Sequence, residues 1–302
     1  MKINSYKIVF VLLVTSLSSC ELIVDVDVPY DKDKLVTNAL QRPDSTWIVD
    51  LTRTNFILSH NEDFYFPVDQ AEVVIQNADG TTERLVLSAP GTGRFRGSSY
   101  PQPGQTYKIT ITPIGLDGVE AEMTMPTVIP IVNVEWDSTD VDNTRFYSDV
   151  PFKVTFKDPP GVKNFYEVLV FTYTFETYCM GPGPEDCVSD TVARVATLRI
   201  TDAGITSKNE RTSRFSDQIF DGQTYTASFN TQLVQWGQMP IIKVELWFAT
   251  VSEEYFKYKE TQTLQLDVMG DPFAQPVPVF SNISNGFGIF AGNAYDIRTY
   301  KP

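Results

Sequence analysis

Group-transfer chemistry usually needs a nucleophile with a base beside it, and histidine is the commonest base. This 302-residue chain has one histidine, His60, inside the polar run Leu58-Ser59-His60-Asn61-Glu62-Asp63, which reads as an exposed loop. The run lacks the second histidine that a zinc-protease helix carries four residues on, and no Gly-x-Ser-x-Gly elbow occurs. Phosphate cradles of the Gly-x4-Gly-Lys or Gly-x-Gly-x-x-Gly type are absent as well. A carboxylate pair could hydrolyse a glycoside, but among 38 acids some pair always stands at a suitable distance. Solvated surface acids are the simpler reading. Asp137, Asp140 and Asp142 place hard oxygens near alternate positions of a loop, as calcium prefers. That loop lacks the glycine and distal glutamate of the helix-loop-helix calcium motif, and a plain polar turn uses the same residues. Trp236, in Gln235-Trp236-Gly237-Gln238, is a candidate ligand or partner contact. A buried plug at the end of a sandwich is the simpler reading of it. The expectation is a chain with no catalytic residues and no cofactor.

The cysteines are more informative. Cys179 and Cys187 flank Met-Gly-Pro-Gly-Pro-Glu-Asp, and in an oxidising compartment two cysteines around such a turn read as a disulfide across a hairpin tip. The competing two-cysteine metal site lacks further ligands, since His60 lies far away in sequence. The third cysteine, Cys20, ends an export signal. Lys2 and Lys7 open it, the apolar run Ile8 to Val14 follows, and Leu17-Ser18-Ser19-Cys20 closes it, resembling the bacterial lipobox. Seven apolar residues are far short of the about 20 needed to span a bilayer. The reading is a cleaved signal peptide over 1–19 and acylation of Cys20. Two or three acyl chains then hold the protein durably to a bilayer.

The charge of −14 argues against a nucleic-acid partner, which would call for a basic face. Residues 20–34 read as a lipidated tether. From Leu35 the chain runs strand after strand: 35–40, 47–54, 71–76, 84–88, 107–112 and 119–125, with Gly/Asn/Pro turns between. Two prolines, Pro126 and Pro130, mark a boundary. Further strands are expected at 132–136, 152–156, 165–175, 192–200, 225–233 and 241–251. A helix is expected near 252–264, capped by Ser252, with Glu253 and Glu254 in its first turn and Tyr255, Phe256 and Tyr258 facing inward. The expected fold is all-β: two consecutive immunoglobulin-like β-sandwich domains, over 35–126 and 131–302, the second larger and carrying one short helix. The chain ends in Pro/Asn/Gly-rich segments around 272–292, of which the run Ser281 to Phe290 reads as a strand-turn-strand closing the second sandwich.

Several segments together resemble one family, the outer-membrane lipoproteins of Bacteroidetes grouped as domain of unknown function 4249. They are Cys20 to Pro29, Lys34 to Leu40, Pro67 to Val73, Phe215 to Gly222, Ser252 to Phe256, and Asp271 through Ser281-Asn282-Ile283 to Phe290. The resemblance implies an all-β protein anchored at the cell outer membrane, on either face, as a non-catalytic companion of a TonB-dependent receptor in nutrient uptake. It supplies no catalytic residues. Two other roles stay open: a structural or assembly lipoprotein of the envelope, and a carboxylate-based glycan hydrolase.

Overall fold

The computed structural model describes residues 32–55, 65–136, 147–181, 183, 186–205, 213–234, 240–271 and 273–301. The first half is built on period-two alternation. In β8 (Val119–Thr124) each apolar residue is buried and each polar one exposed. The same rhythm governs β1 (Leu35–Gln41), β2 (Ile48–Arg53), β3 (Ala71–Asn77), β6 (Arg94–Arg96) and β7 (Thr106–Pro113), with short β4 (Thr82–Arg84) and β5 (Val86–Leu87) at the edges. Because successive side chains of a strand point to opposite faces, such a segment can bury only one side. Two layers therefore form, β4-β3-β7-β8 facing β1-β2-β6-β5. Their core includes Leu51, Ile75, Ile109, Ile111 and Trp47. Trp47 stands edge-on to Tyr107 at 4.8 Å, and its indole N–H reaches Ser99 Oγ at 3.1 Å, so burial leaves no donor unmet.

The second half repeats the arrangement with larger side chains. The strands β9 (Ile131–Trp136), β10 (Tyr147–Lys157), β13 (Thr197–Ile200) and β15 (Thr224–Val234) form one sheet in the order β13-β15-β10-β9. It faces β11 (Phe165–Cys179) and β16 (Ile241–Val251), with β12 (Cys187–Val195) and β14 (Arg214–Ser216) along β11. Phe156 is central to this core. Its ring lies 4.7 Å from Phe248, 4.8 Å from Tyr166 and 5.5 Å from Phe220, and such pairs add about 0.5–1.5 kcal/mol each beyond burial.

The expected all-β class holds, with a single helix among the described residues. That helix, α1 (Glu253–Val268), starts where the sequence indicates: Ser252 Oγ accepts from Tyr255 N–H, and Glu253 and Glu254 occupy the first turn. Tyr255 is buried, and Phe256 and Tyr258 pack partly buried beside it, against Phe165, Ile289 and Ala291.

The C-terminus departs from the reading of a strand-turn-strand within the second half. A 14-residue strand, β17 (Phe287–Tyr300), runs through both halves instead. Its first part pairs in parallel with β1, from Val36↔Phe287 to Gln41↔Gly292. Its remainder pairs antiparallel with β16, from Val251↔Asn293 to Val244↔Tyr300. One nine-stranded sheet thus underlies both cores, and Phe290 belongs to the first of them. The segment before β17 is stitched to its surroundings by side chains. Asn282 accepts from Phe290 N–H at 3.0 Å and donates to Phe290 O at 2.8 Å, while Ser284 Oγ donates to Glu120 O at 2.8 Å. Gly288 has φ +107, and a Cβ there would lie 1.9 Å from Thr37 O. Only glycine fits, for both reasons. Gly288→Ala is expected to cost at least about 3 kcal/mol, the upper end for a strained non-glycine residue. Equilibrium urea unfolding of the variant against the wild type checks it; an unchanged midpoint would show that β17 does not depend on this approach.

Candidate functional site

Of the residues the sequence singles out, Cys20, His60, Trp236, Asp137, Asp140 and Asp142 lie outside the described residues. Cys179 and Cys187 are joined in a disulfide, as register partners at the end of the β11–β12 hairpin.

That hairpin extends past the body. The ladder between β16 and β11 ends at Thr174↔Ile241, whereas β12 stays paired with β11 as far as Cys179. Residues 175–179 therefore stand as one strand of a two-stranded arm, a unit that is marginal in water without extra ties. The disulfide closes the tip. Nearer the body, buried Glu176 collects Arg194, the Tyr178 hydroxyl and the Thr174 hydroxyl around one carboxylate. The Arg194 hydrogen bonds, followed by that of Tyr178, hold the Glu176 carboxyl down at about 2. Outward from this braced frame Phe175 is 54% exposed, Met180 90% and Val188 60%, with Tyr178 nearly half exposed. Behind the arm, the outer face of the large sheet carries an aromatic row. Phe171 lies 4.8 Å from Trp247, and Trp247 lies 5.1 Å from Tyr295. Glu245 fixes the row by accepting from Tyr173 Oη at 2.7 Å and Trp247 Nε1 at 3.0 Å. Burial and that carboxylate push the Tyr173 hydroxyl up to about 12.

Sequence reasoning missed a second cluster. Asp158, Asp217 and Asp221 bring carboxylate oxygens within 4.8 Å of one another, the one such trio among the described residues. Asp158 is fully buried at the end of β10. It accepts from the Tyr166 hydroxyl, from Asn164 Nδ2 at 3.3 Å and from Gly222 N–H at 2.8 Å. Asp217 accepts from Asn164 N–H at 2.6 Å and Asp221 from Gly161 N–H at 2.8 Å. The trio clamps the 158–164 loop to the 217–222 turn. A hard cation placed there would compete with these N–H and O–H donors. Burial, reinforced by the charges of Asp158 and Asp221, pushes the Asp217 carboxyl up. The only signal in the sequence was the Asp217 to Gly222 stretch, whose partner Asp158 is too distant to be read as one group.

A third cluster anchors α1. Buried Glu167 accepts from Arg214 Nη1 at 3.0 Å and from Tyr255 Oη at 2.7 Å, while Arg214 also meets Glu260 at 3.3 Å. Removing one member of such a pair leaves a buried charge unmatched, so this network docks the helix.

The architecture is two β-sheet cores on one shared sheet, with loops clamped by carboxylates and a disulfide-closed arm. The chain belongs to the family described as Domain of unknown function (DUF4249), which matches residues 22–298. No curated protein matches it. Among solved structures it is similar to a crystal structure of a DUF4785 family protein from Legionella pneumophila, at 10% identity and TM-score 0.24. That match covers 71% of this chain and 50% of the other, so this chain spans half the length of that protein.

Two outcomes are expected here. Replacing both Cys179 and Cys187 by serine should speed amide exchange in 175–178 and 188–190 while moving the global thermal midpoint by no more than about 2 °C, because the arm can open alone. Hydrogen-exchange mass spectrometry beside calorimetry tells local from global loosening. For Asp217, a raised folded pKa means that the charged form burdens the folded state at neutral pH. The burden lifts as pH falls through that pKa. Asp217→Asn should therefore raise the thermal midpoint by about 2 °C at pH 7, with the gain shrinking in mild acid. A gain that grew toward low pH would contradict the assignment.

Proposed function

We propose that this chain is a lipid-anchored, non-catalytic accessory module of the outer membrane that docks on a TonB-dependent receptor and helps it take up cargo. The N-terminal signal and Cys20 support the anchor. The observation that carries the docking reading is the stapled arm with Phe175, Tyr178, Met180 and Val188 turned to solvent. Apolar and aromatic side chains on a rigid projection suit a partner that covers them, since aromatics and methionine are enriched at interface centres. An acyl anchor adds to this by confining chain and receptor to one membrane, which raises their effective concentration.

The buried carboxylates of the two clusters read as structural. Asp158 and Asp217 are buried and engaged with backbone and side-chain donors, and Glu167 is locked to Arg214 beneath a helix. None of these presents itself to a sugar ring.

The test is gentle-detergent affinity purification of the tagged, lipidated protein from its own outer membrane, with mass spectrometry of what accompanies it. A stoichiometric barrel receptor is expected, and a Phe175→Ser/Met180→Ser double variant should lose it while remaining folded. Recovery alone, or with assembly machinery, would move the reading to a structural role in the envelope.

A further inference from the structure

We propose that an open cleft on the outer face of the first half, between α1 and the 88–93 loop, binds a small carboxylate-bearing molecule anchored by Arg96. Its volume of about 670 Å³ falls within the range of small-molecule pockets.

The floor follows from strand alternation. Val49, Leu51 and Phe95 point into the first core, so the residues between and beside them, Asp50, Thr52, Arg94 and Arg96, face the opposite way. Asn38 of β1 joins them as the register partner of Asp50. Both walls are held in place. On one side Asp69 accepts from the N–H groups of Gly91 and Gly93, the latter at 2.8 Å, and Tyr65 Oη donates to Thr92 O at 2.7 Å. On the other side stands Tyr258 of α1, packed partly buried against the helix-sheet cluster. A cleft whose walls are tied down before binding loses little entropy on accepting a ligand.

The charges select the ligand. Arg94 forms a two-pronged pair with Asp50, at 2.6 and 2.9 Å, so these two cancel. Arg96 makes no ion pair with any described residue and leaves the floor with a net positive charge, in a chain whose total is −14. A guanidinium fork matches a carboxylate in plane and can take both of its oxygens. The negative field of the whole molecule works against multiply charged anions, which favours a singly charged carboxylate over a phosphate or a polyanion. Sugar acids and simple organic acids share this chemistry. The cleft lies toward the β5 end of the nine-stranded sheet, away from the β12 end that carries the arm. The inference therefore stands whether or not a receptor docks there.

Isothermal titration of the full chain in detergent tests it with three probes: galacturonic acid, acetate and uncharged galactose. At least one acid is expected to bind, more weakly as salt rises, with galactose much weaker. Arg96→Ala should weaken that binding about tenfold or more, Arg96→Lys less, and Arg199→Ala, an exposed arginine of β13, not at all. Which acid binds decides between the sugar and organic sources. The proposal is overturned if neither acid binds at about 20 mM, the concentration at which even a millimolar site would fill. It is equally overturned if galactose binds as well as the acids, if Arg96→Ala binds like the wild type, or if Arg199→Ala weakens binding as much. Should Arg96→Ala fail to fold, Arg96→Gln provides the same comparison.

Discussion

The structure depends on one strand finding two partners. β17 runs parallel to β1 up to Gly292 and antiparallel to β16 from Asn293 onward. Phe290 fills the first core, Ile289 and Ala291 receive the helix, and Tyr300 packs against the second core. The helix start is tied to the same point, since Ser252 N–H donates to Gly292 O at 2.9 Å. Parallel pairing of β1 with β17 has a kinetic consequence. The first core cannot be completed until β17 exists, and contacts so distant in sequence carry a large loop-closure cost. Slow completion of the first half is the expected result, even though its hairpins are local.

Much of this was legible residue by residue. Alternation in β7, β8 and β16 marks strands because burial on one face demands it, and Ser252 followed by two glutamates marks a helix start because a capping oxygen and two acids suit its exposed N–H groups. The cysteine pair was legible because a Gly/Pro turn between two strands already brings the ends together. What was not legible depends on long-range partners. The Pro, Asn and Gly residues before β17 look like turn formers, and the Gly286-Phe287-Gly288 start hides a strand whose glycine exists to let β1 approach. The Asp158 trio and the Arg96 cleft were invisible for a related reason. Each joins residues far apart in the chain, and singly each reads as an ordinary solvated side chain.

The segments through which this chain resembles its family have mostly structural jobs. Asn282 and Ser284 satisfy backbone groups of β17 and β8, Gly288 makes room for β1, Asp217 and Asp221 clamp loops, and Ser252 caps the helix. These positions share a property: each meets a requirement of the backbone beside it, by a side-chain hydrogen bond or, at Gly288, by the lack of a side chain. A signature made of such residues identifies an architecture rather than a chemistry. Features able to distinguish one bearer of the fold from another then belong where the backbone makes no such demand. The tip of the β11–β12 arm and the floor of the Arg96 cleft are two such places. Phe175, Met180 and Arg96 are exposed there and belong to neither core. The two proposals above give them a role: docking for Phe175 and Met180, and anchoring of a carboxylate for Arg96.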